Sequence, residues 1–122
     1  MKVDYQKGIS TFQLMSMMDL SQKVLQLTGK IPKGSVTTYS EIARALGNPG
    51  AARAVGNALR KNAFPDRIPC YRVVRSDGSP GGYSGVMDSR EKILRLEKDG
   101  IVVKNGKINL KIYFHPFRKK QR

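Results

Sequence analysis

The sequence has very few of the residues that form disulfides, zinc sites or membrane spans. Its 122 residues include one cysteine, Cys70, and one histidine, His115. A single cysteine excludes a disulfide within the chain, and these two residues together cannot make an ordinary structural zinc site. No apolar run approaches the roughly 20 residues needed to span a bilayer, and the N-terminus lacks the apolar core of a secretory signal. We therefore expect no metal, no cofactor and no membrane span.

Acidic residues are also scarce. Nine Asp and Glu stand against 23 Lys and Arg, which leaves a net charge of +14. At this length, such an excess favours a polyanionic partner, either nucleic acid or an anionic membrane surface. With 39% apolar residues the chain can fold around one modest core, so we expect residues 1–122 to form a single domain. We expect a monomer that is cytoplasmic, associated with the nucleoid in a prokaryote or nuclear in a eukaryote.

Apolar periodicity predicts a first helix that starts at Ser10 or Asp19 and ends near Thr28. A second helix should follow residues 38–41, Thr-Tyr-Ser-Glu, which have the pattern of a capping box. In such a box the threonine hydroxyl and the glutamate carboxylate satisfy free amides at the helix start. This second helix should run to about Leu46.

The next turn is expected to end the second helix and begin a third, with Asn48 as N-cap and Pro49 in the first helical position. The third helix should run to about Lys61, with one apolar side and basic residues elsewhere. Two short helices joined by a tight turn, the second of them basic, predict a helix-turn-helix. A helical hairpin with a solvated charged face is the alternative, and the net charge of +14 favours the DNA-binding interpretation.

The only cysteine lies in residues 68–74, where a proline precedes it and two β-branched residues follow. This context predicts a buried thiol at the end of a short extended segment. A free cysteine most often behaves as an inert small hydrophobe. Composition alone therefore favours an inert Cys70, and a catalytic role depends on its neighbours.

The last third of the chain contains a loop, a helix and a hairpin. Four glycines and a proline in residues 76–85 exclude a helix or a central strand there. Asp88 should cap a last helix that runs to about Lys98 and stops at Gly100. Asn105-Gly106, flanked by apolar residues, predicts a C-terminal β-hairpin with a type I′ turn. The whole pattern indicates a mainly α fold with short β elements.

Several motifs, in this order, resemble the C-terminal DNA-binding domain of the O6-alkylguanine-DNA alkyltransferases, also called methylated-DNA-protein-cysteine methyltransferases. They comprise a tyrosine, a helix arginine, an asparagine, the box Pro69–Val74, a Tyr-Ser-Gly loop and a glutamate: Tyr39, Arg53, Asn62, Tyr83, Ser84, Gly85 and Glu97. The resemblance covers about residues 12–103, with the hairpin and basic tail at 104–122. It implies a winged-helix-like fold built on a helix-turn-helix. The chain departs from the family in Tyr71, where the box usually has His, and in the absence of the separate N-terminal domain.

The resemblance implies that Cys70 accepts the alkyl group of O6-alkylguanine once and is not regenerated. A thiolate suits attack on a saturated carbon, and the thioether product is stable. Tyr39 would protonate or hydrogen-bond the departing guanine. Glu97 would end a proton relay that runs from the cysteine through water and residue 71. Asn62 would tie the recognition helix to the active-site segment.

The partner that the resemblance implies is double-stranded DNA containing O6-alkylguanine, with no membrane involved. The helix-turn-helix would enter the minor groove, and Arg53 would fill the gap left by the flipped nucleotide. The other residues expected to contact DNA are Gly50, Ala52, Tyr39, Asn57 and Arg60. The residues expected around the flipped base are Leu59, Val73, Tyr83, Ser84 and Gly85.

Tyr71 leaves the mechanism open. A neutral phenol, with a reference pKa of about 10, accepts a proton less readily than imidazole at neutral pH. Tyr71 either holds a working relay, slows the transfer, or leaves a protein that binds alkylated DNA without efficient transfer. The alternative functions are a non-enzymatic, alkyltransferase-like damage sensor and a general DNA-binding protein. Cys70 favours the alkyltransferase, and a separate repair partner or N-terminal chain stays open.

The charge excess leads to a first prediction. Affinity for undamaged duplex DNA should fall steeply as the salt concentration rises, because phosphate neutralisation releases bound counterions. Fluorescence anisotropy with a labelled duplex across a salt series measures this slope. Binding that does not respond to salt would contradict our interpretation of the +14 charge.

Overall fold

The computed structural model describes residues 18–82 and 90–117. Several predictions concern residues outside these ranges: a helix start at Ser10, the loop residues Tyr83, Ser84 and Gly85, the cap at Asp88 and the tail 118–122. No helix within the described ranges combines the length and the apolar character that crossing a bilayer requires.

The described residues form a mainly helical fold with short strands, as predicted. The helices are α1 (Leu20–Thr28), α2 (Tyr39–Ala45), α3 (Ala52–Arg60), α4 (Arg90–Lys98) and α5 (Leu110–Tyr113). The strands are β1 (Thr37–Thr38), β2 (Val73–Val74), β3 (Val103–Lys104) and β4 (Lys107–Ile108). One turn of 3-10 helix, Cys70–Arg72, directly precedes β2.

Capping side chains set the starts of the first two helices. Asp19 accepts from the Gln22 amide at 2.9 Å, and Gln22 accepts in return from the Asp19 amide at 2.9 Å. The Thr38 hydroxyl accepts from the Glu41 amide at 3.0 Å, which confirms the first half of the predicted capping box. The Glu41 carboxylate has other partners, because it accepts hydrogen bonds from Arg44 and from the Phe117 amide.

The predicted start of α3 at Asn48 and Pro49 is wrong. The chain there closes a turn in which the Ala51 amide bonds to the Asn48 carbonyl at 2.9 Å, so α3 begins only at Ala52. Its N-cap, Ala51, has no side chain that can accept a hydrogen bond from the helix. The first turn of α3 therefore presents small residues and backbone amides without a side-chain cap.

The strands β1 and β2 pair in parallel, with Thr37 opposite Val73 and Thr38 opposite Val74. In this register Tyr39 follows the C-terminal end of β1, whereas Cys70 precedes the N-terminal end of β2, and both side chains pack against the same hydrophobic cluster. The predicted extended conformation at Cys70 is wrong: the Arg72 amide bonds to the Pro69 carbonyl at 2.9 Å and curls the chain into a helical turn.

Two hydrophobic clusters meet at the cysteine. The first lies among α1, α2 and α3 and consists of Val24, Ile31, Ile42, Ala43, Val55, Ala58, Leu59, Val73 and Phe117. The second joins α4 to the hairpin and consists of Val36, Tyr71, Val74, Leu96, Ile101 and Ile108. Cys70 packs against both. The thiol is thus held at the junction between the helix-turn-helix half and the C-terminal half.

The predicted C-terminal hairpin is confirmed. Asn105 and Gly106 both have positive φ, 54° and 73°, which is the conformation of a type I′ turn. The hairpin docks on Gly78, whose carbonyl accepts from the Ile108 amide at 2.8 Å. A Cβ on Gly78 would lie 2.5 Å from the Ile108 carbonyl oxygen, and φ there is +90°, so only glycine fits.

The packed core includes residues beyond Val103, where the family resemblance ends. After α5 the chain returns along β1: the Val36 amide bonds to the Tyr113 carbonyl at 2.9 Å, and the His115 amide bonds to the Val36 carbonyl at 2.7 Å. Phe117 then enters the first cluster. Residues 110–117 are therefore part of the folded domain.

Glu41 fastens this C-terminal segment to α2. Its carboxylate accepts from Arg44 Nε at 2.9 Å, from Arg44 Nη2 at 2.7 Å and from the Phe117 amide at 2.7 Å. Arg44 Nη2 also donates to the Phe117 carbonyl at 2.6 Å. The hydrogen bond from Arg44 lowers the pKa of Glu41, and burial only partly opposes this.

We expect Glu41→Gln to lower the free energy of unfolding at pH 7 by about 1–3 kcal/mol, because charged hydrogen bonds are lost. A carboxyl whose pKa is lowered on folding stabilises the protein above its unfolded pKa, and this contribution is lost as the pH falls through the folded value. The difference between wild type and variant should therefore shrink in acid. Urea unfolding at neutral and acid pH measures it.

The exposed Glu97 provides the control for this experiment. Glu97→Gln should change stability far less at neutral pH. Equal losses from the two substitutions would show that the link between Glu41 and Phe117 does not stabilise the fold.

Candidate active site and DNA-binding helix

Cys70 is a free thiol at the first position of the 3-10 helix, and it is half-buried, so the prediction of a buried thiol is wrong. Its amide bonds to the Ile68 carbonyl at 2.7 Å, and its carbonyl accepts from the Val73 amide. The backbone on both sides of the cysteine is therefore fixed by hydrogen bonds. A thiol held in this way reacts from a defined position.

Asn62 joins the end of α3 to the cysteine segment. Its Nδ2 donates to the Ile68 carbonyl at 2.9 Å, and its Oδ1 accepts from the Phe64 amide at 2.9 Å. These are the side chain to backbone bonds that we expected at this position. The loop from Asn62 to Ile68 thus couples the position of α3 to that of the thiol.

Tyr39 is the first residue of α2 and lies half-buried against the first cluster. Glycines make room for its ring and hydroxyl: a Cβ on Gly56 would lie 3.8 Å from the ring, and one on Gly81 would lie 3.0 Å from the hydroxyl oxygen. Burial raises the pKa of Tyr39 above its ordinary value, and nearby Arg75 partly offsets the rise. The phenol is therefore protonated at neutral pH, the form that can donate to a departing guanine.

Lys92, which the sequence patterns did not identify, is fully buried. Its Nζ donates to the Val73 carbonyl at 2.6 Å, the Gly82 carbonyl at 3.1 Å and the Tyr39 hydroxyl at 3.4 Å. Burial lowers the pKa of Lys92 to about 7. The carbonyl of Val73, one of the residues expected around a flipped base, thus accepts a hydrogen bond from this buried side chain. The sequence contained one indication that Lys92 faces the core, because it lies one helical turn before the buried Leu96.

Tyr71 is engaged with a different group of residues. Its hydroxyl donates to Asp99 Oδ2 at 2.7 Å and accepts from Arg72 Nη2 at 3.1 Å. Arg72 also donates to Asp99 at 3.1 Å and to the Ile31 carbonyl at 2.8 Å. Burial and the hydrogen bond to Asp99 both raise the pKa of Tyr71. Tyr71 is therefore a committed hydrogen-bond donor at neutral pH.

The prediction that Glu97 is a buried relay carboxylate is wrong, because its side chain is exposed. The preceding residue, Leu96, is fully buried, and one further residue along a helix turns the side chain by about 100° towards solvent. Asp99, just beyond the end of α4, is the carboxylate that contacts residue 71. In the sequence, the Asp-Gly pair at the helix end was the feature that could have identified Asp99 as this carboxylate.

The face of α3 expected to meet DNA is exposed. Gly50, Arg53, Asn57 and Arg60 are all accessible, and Ala52 is half-buried at the helix start. Arg60 Nη2 donates to Asn57 Oδ1 at 2.8 Å, whereas Arg53 has no hydrogen bond or ion pair with the described residues. This face carries small side chains at its N-terminal end and arginines along its length, and both features suit contact with a phosphate backbone.

Leu59 was expected to line the base pocket. It is 7% exposed and belongs to the first cluster, against which Cys70 packs. It therefore supports the cysteine from the core. The three loop residues expected on the other side of the pocket lie outside the described residues: Tyr83, Ser84 and Gly85. Their contact with a flipped base stays a prediction.

Within residues 18–82 and 90–117, no three His, Cys, Asp or Glu side chains cluster as metal ligands would. Cys70 acts electrostatically on two titratable groups, Tyr39 and Lys92, and Arg75 acts on the same two groups.

Comparison with known proteins identifies the family of this chain. Residues 19–99 match the model for the DNA-binding domain of 6-O-methylguanine DNA methyltransferase. The chain belongs to this family. The match begins at the cap of α1 and ends at Asp99, so it includes the helix-turn-helix, Cys70 and Lys92.

Two relatives show the extent of the similarity. A bifunctional methyltransferase/endonuclease of Picrophilus torridus is 52% identical over 99 residues, which is 81% of this chain and 33% of that protein. The human methylated-DNA-protein-cysteine methyltransferase is 44% identical over 92 residues, 70% of this chain and 44% of that protein. This methyltransferase-family chain spans about a third of the bifunctional relative and less than half of the human one.

Solved structures of the family show the same fold. Schizosaccharomyces pombe Atl1, in complex with damaged DNA containing O6-carboxymethylguanine, superposes with a TM-score of 0.72 at 31% identity, covering 80% of this chain and 98% of Atl1. Mycobacterium tuberculosis OGT in complex with DNA gives 0.62 at 39% identity, covering 67% of this chain and 50% of OGT. These similarities confirm the predicted family and fold class.

We expect Asp99→Asn to destabilise the protein by about 1–3 kcal/mol, because the half-buried Arg72 and the buried Tyr71 both lose a charged acceptor. Chemical unfolding measures this loss. Glu97→Gln, two residues away on the exposed face, is the matched control and should leave stability nearly unchanged. If Glu97→Gln lowered the free energy of unfolding more than Asp99→Asn did, then Glu97, and not Asp99, would be the carboxylate that stabilises this region.

Proposed function

We propose that this chain repairs O6-alkylguanine in double-stranded DNA by transferring the alkyl group to Cys70 in a single turnover. The observation that carries the proposal is the position of the free thiol. It lies at the junction of both hydrophobic clusters, and Asn62 links its segment to α3. The proposed nucleophile and the proposed DNA-binding helix are thus parts of one packed unit.

The chemistry needs no cofactor. The sulfur of Cys70 attacks the alkyl carbon, the S–C bond forms and the C–O6 bond breaks, and the electron pair leaves with guanine. Guanine then takes one proton from the Tyr39 hydroxyl. The proton that the Cys70 thiol gives up to solvent restores the Tyr39 hydroxyl, so overall the alkyl group replaces the thiol proton and guanine gains one proton. The thioether is stable, so each chain reacts once.

The target atom of a paired guanine is inaccessible inside the duplex, so the nucleotide must leave the stack at a cost of a few kcal/mol. Arg53 is exposed beside the small residues at the start of α3 and is suited to fill the vacated space. The Asn62 link then means that docking of α3 also sets the position of the thiol relative to the flipped base.

The second candidate function is recognition of alkylated DNA without transfer. Two observations favour it: the similarity to Atl1 bound to damaged DNA, and the hydroxyl of Tyr71, which donates to Asp99 where a relay would need a proton acceptor. The free thiol of Cys70 favours transfer over recognition alone.

Incubation with a duplex containing O6-methylguanine should add one methyl group, about 14 Da, to the peptide that contains Cys70. Intact-mass and peptide mass spectrometry detect the addition. Cys70→Ser should abolish it and retain DNA affinity, and an undamaged duplex is the substrate control. Tight binding of the damaged duplex with no change in mass would support recognition without transfer.

A further inference from the structure

The loop between α3 and the cysteine segment, residues 61–69, carries an exposed aromatic side chain. Phe64 is 59% exposed, although its phenyl ring has no group that hydrogen-bonds to water. Single apolar side chains are common on protein surfaces. Phe64 differs from most of them in three respects: its backbone is fixed, a guanidinium lies over its ring, and its loop joins the proposed DNA-binding helix to the thiol.

Hydrogen bonds hold the backbone of Phe64 on both sides. Its amide donates to Asn62 Oδ1 at 2.9 Å. Its carbonyl accepts from the Arg67 amide at 3.0 Å and from the Ile68 amide at 2.8 Å. A side chain on a backbone held in this way loses little freedom when it binds a partner, so the exposed ring is preorganised for contact.

Arg67 supplies a positive charge at this ring. Its guanidinium carbon lies 6.0 Å from the ring centre, within the range of a cation–π contact, and Arg67 is itself exposed. The pair therefore presents a flat apolar surface beside a cation. A nucleotide has the complementary parts, because its base is flat and its phosphate is an anion.

The surroundings of the ring are also electropositive. Arg60 and Lys61 are exposed and directly precede the loop. Asp66 is the one acidic residue in the sequence from 60 to 70, and its carboxylate lies 3.3 Å from Arg95 Nη2 on α4. This charge continues the basic face of α3, so a strand that lies along α3 reaches the loop without meeting an unbalanced negative charge.

We propose that Phe64 stacks on an unpaired base of DNA while Arg67 contacts a phosphate of the same strand. The two residues would form a nucleotide subsite outside the helix-turn-helix. The subsite depends on the proposed DNA binding of this chain and does not depend on alkyl transfer to Cys70.

The base must be unpaired because bases inside a duplex are covered on both faces by their neighbours. An aromatic ring reaches a base face only in a single strand or where the duplex has been opened. Stacking on an aromatic ring tolerates any sequence, since every base has a π face. The subsite therefore distinguishes unpaired from paired DNA and does not select a sequence.

Tryptophan fluorescence tests the stacking directly. The chain has no tryptophan, so Phe64→Trp introduces a single fluorophore at the subsite. We expect a single-stranded oligothymidylate to quench it, because an indole that stacks on a base loses fluorescence. Ile112→Trp is the matched control, since Ile112 is 67% exposed on α5, and its fluorescence should not change. Anisotropy of a labelled oligothymidylate shows that both variants are bound.

Affinity measurements separate stacking from general apolar contact. Phe64→Ala and Phe64→Leu should each weaken binding of the oligothymidylate on the order of tenfold, whereas Phe64→Tyr, which keeps the flat ring, should bind like wild type. Binding of an undamaged duplex should change much less. Arg67→Ala should reduce the slope of log affinity against log salt on the single strand by about 0.7, the value of one phosphate contact.

Three results would each overturn the subsite: no binding of the oligothymidylate, binding without quenching of Phe64→Trp, or full affinity in Phe64→Leu. The last would indicate a ring that serves an apolar contact with another protein. Alkyl transfer is measured separately, as the mass added to Cys70 by a methylated duplex. Transfer without quenching would remove the subsite and leave the proposed repair function standing, and quenching without transfer would do the reverse.

Discussion

The parallel pairing of β1 with β2 is the constraint on which the site depends. It involves two residues from each strand, yet it holds β2 beside β1, and the residues that flank the two strands, Tyr39 and Cys70, pack against the same first cluster. Parallel strands require a long connection, and here that connection is α2, α3 and the loop to Ile68. The helix-turn-helix is therefore the crossover that joins the two halves of the chemical site, so the DNA-binding element and the thiol form one structure.

Two separate polar networks stabilise the region on either side of this pairing. Tyr71, Arg72 and Asp99 join the 3-10 helix to the end of α4, and Arg72 extends the network to Ile31. Lys92 joins the middle of α4 to β2, to the loop at Gly82 and to α2. Both networks bury charge, which is tolerated because each charged group has hydrogen-bonding partners. The first fixes the backbone that carries Cys70, and the second lies beside the reacting groups.

The sequence predicted the parts of the fold that local chemistry determines. Asp19 as a helix start, Asn105-Gly106 as a type I′ turn and Gly100 as a helix stop all depend on neighbouring residues, and the structure has each of them. It did not predict that Asp99, and not Glu97, faces Tyr71, because that depends on how α4 is rotated against the 3-10 helix. Lys92 was missed for the same reason: a lysine is normally solvated, and its burial depends on carbonyls that are distant in sequence.

Tyrosine at position 71 changes the chemistry of the site more than its packing. A phenol fills the second cluster and donates to Asp99, so the carboxylate is satisfied and the backbone around Cys70 keeps its shape. A phenol with a raised pKa does not accept a proton near neutral pH, however, so positioning of the cysteine and its deprotonation no longer depend on the same side chain. Positioning stays with Tyr71 and Asp99. Deprotonation must therefore depend on something other than the pair formed by residue 71 and its carboxylate, because the phenol is already a donor and the carboxylate is already paired with arginine.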